Sequence, residues 1–100
     1  MFRATTPTHI FALPFDTSTL QEVRVTYVQN KEIILTKTEA DCTLDGAEIK
    51  IRLTQEETLL FEGERRVEIQ LRILTKDGQV MASDIMKVWA NSCLDEEILS

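Results

Sequence analysis

The stretch Arg65-Arg66-Val67-Glu68-Ile69-Gln70-Leu71-Arg72-Ile73-Leu74-Thr75-Lys76-Asp77-Gly78-Gln79-Val80-Met81-Ala82 decides the fold. Val67, Ile69, Leu71 and Ile73 alternate with Glu68, Gln70 and Arg72. Successive side chains of a strand point to opposite faces, so this run puts a hydrocarbon face on a core and a polar face in water. That is the habit of antiparallel sheets, because parallel strands are buried on both faces and read as continuous apolar runs. Asp77-Gly78 then lies between this strand and the next, at Val80. Asp-Gly between two strand patterns signals a hairpin, since glycine takes a positive φ without strain.

Working outward, the same period of two recurs. Glu48 to Leu53 alternates Ile49, Ile51 and Leu53 against Glu48, Lys50 and Arg52, and Asp45-Gly46 precedes it after Cys42-Thr43-Leu44. Gln21 to Gln29 carries Val23, Val25 and Tyr27 on one face, and Glu32 to Lys37, rich in β-branched residues, follows across Asn30-Lys31, a weaker turn signal. Thr8 to Leu13 is a further strand whose flanking Pro7 and Pro14 suit a sheet edge. With Cys42-Thr43-Leu44 and Val80 to Trp89 this gives about seven short strands. The expected architecture is all-β, an immunoglobulin-like antiparallel β-sandwich in one domain spanning 1–100. The antibody order Cys-Trp-Cys is missing, because Cys42, Trp89 and Cys93 occur in another order.

Two places break the period. Thr54-Gln55-Glu56-Glu57 has capping-box form and leads into Leu59-Leu60-Phe61, which predicts one helical turn near Thr54–Leu60 crossing between sheets. Within Val80 to Trp89, Val80 and Ala82 share a parity with Met86 and Val88, while Ile85 has the other. A bulge near Ser83-Asp84 accounts for this, as does a strand covered on both faces.

The chain has 100 residues, 43% of them hydrophobic and 28% charged, enough for one core and too apolar for disorder. Seventeen Asp and Glu against eleven Lys and Arg give a formal charge of −6. Nucleic acids and anionic membranes repel such a chain, and Arg65-Arg66 is hemmed by Glu62, Glu64 and Glu68, so neither is expected as a partner. Apolar runs such as Ile33-Ile34-Leu35 are too short to span a bilayer, and Met1-Phe2-Arg3 is followed by Ala4-Thr5-Thr6 rather than a secretory apolar segment. Cys42 and Cys93 form neither CxxC nor a zinc spacing and are expected to remain separate thiols in a reducing compartment.

No spacing for chemistry emerges. His9 is the one histidine and has no sequence neighbour for a dyad, so an edge-strand histidine is expected rather than a general base. Asp45 and Asp77 sit at turns without DxDxDG spacing, and GxSxG, GxGxxG and GxxxxGK do not occur. The expectation is a protein without catalytic, cofactor or metal residues. Phe11, Phe15, Tyr27 and Phe61 read as core aromatics, leaving Phe2 and Trp89 as surface rings. The ends remain: an arm, residues 1–7, and a tail, residues 91–100, where Ser92 with Asp95 suggests a short capped helix carrying Leu94 and Ile98 on one face. Contacts are expected at Phe2, at His9 and Phe11 in the edge strand, at Trp89, and at Leu94, Ile98 and Leu99, by strand addition or an apolar helix face.

The run Phe2-Arg3-Ala4-Thr5-Thr6-Pro7-Thr8-His9, then Leu13-Pro14-Phe15-Asp16, Leu53-Thr54-Gln55-Glu56-Glu57-Thr58-Leu59, Val67 to Leu74 and Asp77-Gly78 to Ala82-Ser83 resembles small proteins encoded in bacteriophage and prophage genomes. These are virion- or tail-region proteins of phages infecting low-GC Gram-positive bacteria. The resemblance implies a non-enzymatic structural role with other phage proteins or a second copy as partner, in the virion or the host cytoplasm. It carries over no functional residue. The other role open to such a module is recognition of a host surface or a carbohydrate.

Overall fold

A computed structural model describes residues 1–100. In chain order the strands are β1 (Thr8–Ala12), β2 (Leu20–Gln29), β3 (Glu32–Thr38), β4 (Thr43–Asp45), β5 (Glu48–Arg52), β6 (Arg65–Thr75), β7 (Val80–Ala82) and β8 (Met86–Ala90), with a helical turn α1 (Gln55–Thr58) between β5 and β6. They form two antiparallel sheets, one of three strands in the order β1-β5-β4, the other of five. In the larger sheet β3 pairs β2 and β2 pairs β6, while β7 and β8 share the far side of β6. The result is an all-β sandwich, 51% strand. No helix is long and apolar enough to cross a membrane.

The alternation in β6 sets the layers. Val67, Ile69, Leu71 and Ile73 are buried, and β2 opposes them with Val25 across from Leu71 and Tyr27 across from Ile69. The smaller sheet contributes Phe11, Ile49 and Ile51 to the same cluster of 14 residues. Tyr27 packs its ring on Phe61 with centroids 6.0 Å apart, an aromatic contact at tilted geometry. Deleting a buried side chain of this size typically costs about 2–5 kcal/mol, so a single truncation along β6 weakens both sheets.

The crossing between sheets is the capping box read from the sequence. Thr54 Oγ1 accepts from the Glu57 N–H at 3.1 Å, and Glu57 Oε1 accepts from the Thr54 N–H at 2.9 Å. Behind it, buried Gln29 uses its side-chain amide as a peptide unit, donating to the Glu62 carbonyl at 2.8 Å and accepting from the Glu62 N–H at 2.6 Å. Gly63 lies so close to Ser92 that a Cβ there would meet the serine hydroxyl at 1.9 Å.

The last expected strand arrives in two pieces. Between the pairs Arg72–Ala82 and Ile69–Met86, β6 advances three residues and its partner four. The extra residue lies in Ser83–Ile85, and Ser83 fills the gap: its N–H donates to the Leu71 carbonyl at 2.8 Å and its Oγ accepts from the Leu71 N–H at 3.0 Å. A second bulge sits on β3, where Ile34 is skipped between the pairs Tyr27–Leu35 and Val28–Ile33.

Three hairpin turns differ in chemistry. Gly46 takes φ +57° as the first of two linking residues, the type II′ pattern, so the loop is Gly46-Ala47 with Asp45 already paired to Glu48. Gly78, at φ +91°, closes a three-residue loop between Thr75 and Gln79. Asn30 and Lys31 both have positive φ, 53° and 65°, the type I′ pattern in which glycine is favoured at the second position. Lys31 therefore sits in a left-handed conformation that costs an L-residue about 1 kcal/mol. Lys31→Gly is expected to raise stability by about 0.5 kcal/mol, less than the full strain because glycine also loosens the unfolded chain. Urea midpoints of the two proteins check this, and an unchanged or lower midpoint contradicts it.

Candidate interaction surface

The outward parity of the larger sheet collects side chains that the sequence places far apart. Arg24, Thr26 and Val28 of β2 lie beside Arg72, Gln70 and Glu68 of β6. On the far side Glu68 faces Lys87, and Arg66 faces Trp89. Ile33 on β3, Val80 on β7, Ile85 and Trp89 add large apolar groups, exposed by 67%, 60%, 48% and 52%. This face mixes isolated hydrocarbon with arginine and tryptophan, residue types enriched at protein interfaces.

Its electrostatics are out of step with the chain. Arg24, Arg66, Arg72 and Lys87 outnumber Glu22 and Glu68 here, although the chain carries −6 overall. Arg24 and Arg72 stand directly opposite each other, an unfavourable cross-strand pairing of like charges worth tenths to about 1 kcal/mol. Glu22 reaches Arg24 at 3.5 Å, whereas Arg66, Arg72 and Lys87 form no ion pair. Beside the arginines a shallow recess of about 140 Å³ is lined by Glu22, Arg24, Arg72, Ile73, Leu74 and Val80.

The two ends of the chain are laced to each other. The Asn91 N–H donates to the Met1 carbonyl at 2.7 Å and the Arg3 N–H to the Asn91 carbonyl at 2.8 Å, so Phe2 and Asn91 form a parallel bridge. The arm is thus joined by a single bridge to Asn91 of its own chain, just beyond β8. The tail is not helical. Ser92 spends its N–H on Glu64 Oε1 at 2.9 Å, Arg3 pairs with Glu96 at 2.7 Å, and the Cys93 thiol meets the Arg3 carbonyl at 3.2 Å. Farther on, the Gln55 amide donates to the Leu99 carbonyl at 2.7 Å and accepts from the Leu99 N–H at 2.8 Å. These partners hold the tail in an irregular path with a bend at Leu94 where a capped helix was expected. Leu94, Ile98 and Leu99 keep their side chains exposed.

His9 and Phe11 are placed differently from the other expected contacts. Both point inward from β1, Phe11 into the core and His9 onto Tyr27. Phe11 is buried to 7% exposure, so only the outer edge and outer face of β1 could meet a partner. Burial pushes the Tyr27 hydroxyl well above its ordinary range, so it keeps its proton and shares a hydrogen bond with His9 Nδ1 across 2.8 Å. Burial, and then the amino-terminal charge, lower the His9 pKa, which favours the neutral imidazole. Close by, Lys37 reaches inward from β3 to pair with Glu57. Burial alone would raise Glu57, but the Lys37 ammonium and the Thr54 N–H together hold it below the usual carboxylate range. Cys42 and Cys93 are free thiols. Burial and then the Asp41 carboxylate raise the Cys42 pKa, which disfavours its thiolate. No three His, Cys, Asp or Glu side chains converge.

Phe2 and Trp89 are half-exposed rings, as their places in the sequence imply. Parity in the sequence also assigns Arg72 and Glu68 to an outer face. It does not say which strand lies alongside, so the Arg24–Arg72 juxtaposition and the Val28–Ile33–Ile85 grouping had no signal. The Gln55–Leu99 clamp had none either, because a glutamine in a capping box is ordinary.

Two outcomes follow from these contacts. The neutral form of His9 is favoured in the fold, so its stabilisation is complete above the ordinary value of 6.5 and is lost as pH falls toward the lowered folded value. Urea stability should drop between about pH 7.5 and pH 5.5, and His9→Gln should flatten that drop; an unaltered pH slope contradicts the assignment. Gln55→Ala should abolish slow amide hydrogen exchange at Leu99 while exchange in β6 is unchanged, and retained protection at Leu99 contradicts the clamp.

Comparison with known proteins finds no family model, no curated relative and no solved structure that matches this chain.

Proposed function

We propose that this chain is a non-enzymatic assembly module that works through protein–protein contacts made by side chains. The observation that carries this reading is the outer face of the five-stranded sheet, where Trp89, Ile33, Ile85 and Val80 stand half-exposed among Arg66, Arg72 and Lys87, cations with no ion pair in the chain. Trp and Arg are among the residues that most often anchor interfaces, and a sheet presents them without the ordering cost of a loop. The engagement of His9 Nδ1 by Tyr27 and the raised pKa of Cys42 support a structural use of the two groups most suited to proton transfer or nucleophilic attack.

The sequence resemblance to phage and prophage proteins makes the virion the assembly in which this work is done. Mass spectrometry of purified particles tests it: the chain should be a stoichiometric component, and Trp89→Asp should remove it from particles while leaving the folded protein in the lysate. Particles that lack the wild-type chain contradict the proposal. The half-exposed Trp89 ring also favours a second reading, a module that recognises a host surface or a sugar. Saturable attachment of the purified protein to host cells or glycans, lost in Trp89→Ala, would select that reading instead.

A further inference from the structure

We infer that the basic outer face of the five-stranded sheet docks the C-terminal tail of a second copy of this chain, joining copies head to tail. The inference rests on the assembly reading and names its partner.

Charge selects the occupant. With Arg24, Arg66, Arg72 and Lys87 against Glu22 and Glu68, the face is the cationic part of a chain whose total is −6, so the remaining surface repels another copy while this face attracts it. The tail is the matching surface. It presents Asp95, Glu96 and Glu97 in succession, and of these only Glu96 has a cation, Arg3. Leu94 precedes them, fully exposed. One hydrocarbon group followed by carboxylates meets a recess with Ile73, Leu74 and Val80 in its lining beside Arg24, Arg72 and Glu22: Leu94 enters beside Leu74 and Val80, and Asp95 and Glu97 lie over Arg72 and Arg24 on the side away from Glu22. A carboxylate there relieves the Arg24–Arg72 opposition.

The tail is also prepared for the role. Arg3 fixes Glu96 and Gln55 fixes Leu99, so the segment is tied to its own chain, with Leu94, Asp95 and Glu97 exposed and Asp95 Oδ1 accepting from the Glu97 N–H at 3.0 Å. Ordering that has already occurred in the free protein does not oppose docking. Face and tail are different patches, which makes the contact heterologous: it propagates or closes into a ring.

Two variants decide the matter. The face variant is Arg24→Glu with Arg72→Glu; the tail variant is Leu94→Ser with Asp95→Asn and Glu97→Gln. All five positions are solvent-exposed, and each variant retains the half that the other lacks. By analytical ultracentrifugation at concentrations up to about 1 mM, where even a millimolar contact is half filled, the wild-type mass should rise with concentration. Each variant alone should remain monomeric, its affinity lowered at least about tenfold. An equimolar mixture should form a one-to-one dimer and stop there, a result that a misfolded variant could not produce. A wild-type chain that stays monomeric, or a mixture that does, overturns the inference. Neither result touches the assembly reading, which the composition of purified particles decides separately.

Discussion

Burial of every second side chain of β6 is the constraint on which the rest of the molecule depends. That strand of 11 residues is paired along both edges, by β2 on one side and by β7 and β8 on the other. Its inward residues, Val67 to Ile73, form the floor on which the three-stranded sheet rests. Because the side-chain period is two, the same residues that fix the core fix what faces outward. A shift of β6 by one position would exchange Ile69 and Leu71 for Glu68 and Gln70 in the interior, and the outward arginines would vanish into hydrocarbon. Core and candidate contact surface are therefore one decision, made by a single register.

The outcome separates what alternation encodes from what only contact creates. The strands at Val67, Glu48 and Gln21 were legible because each buries one face, and burial imposes a period that survives in the sequence. The capping box at Thr54 was legible because its two hydrogen bonds join residues three apart. The tail was misjudged for the complementary reason. Ser92 and Asp95 carry a helix-start pattern, but Glu64, Arg3 and Gln55, between about 28 and 93 positions away, supply partners that a local pattern cannot register. The candidate face was half legible: parity assigns Arg72 and Trp89 to an outer surface, whereas their neighbours depend on strand order.

Side-chain amides do work here that backbone does elsewhere. Gln29 and Gln55 each bind both the N–H and the carbonyl of one residue, Glu62 and Leu99 respectively. A carboxamide offers one donor and one acceptor on the same side, which is what an adjacent strand offers. The two glutamines thereby attach irregular segments to the sandwich where no strand continues. Buried Gln29 stabilises the crossing from α1 to β6, and half-exposed Gln55 sets the path of the tail.

Both margins of the larger sheet carry a bulge, at Ile34 on β3 and at Ser83 between β7 and β8. A cross-β fibril requires a long row of evenly spaced, unpaired peptide groups onto which an identical row can zip. On this molecule such a row is interrupted on one margin and offset by a residue on the other. The smaller sheet offers edges of only five and three residues, β1 and β4. Folded copies of a chain this rich in β-structure thus offer each other little continuous edge for strand pairing.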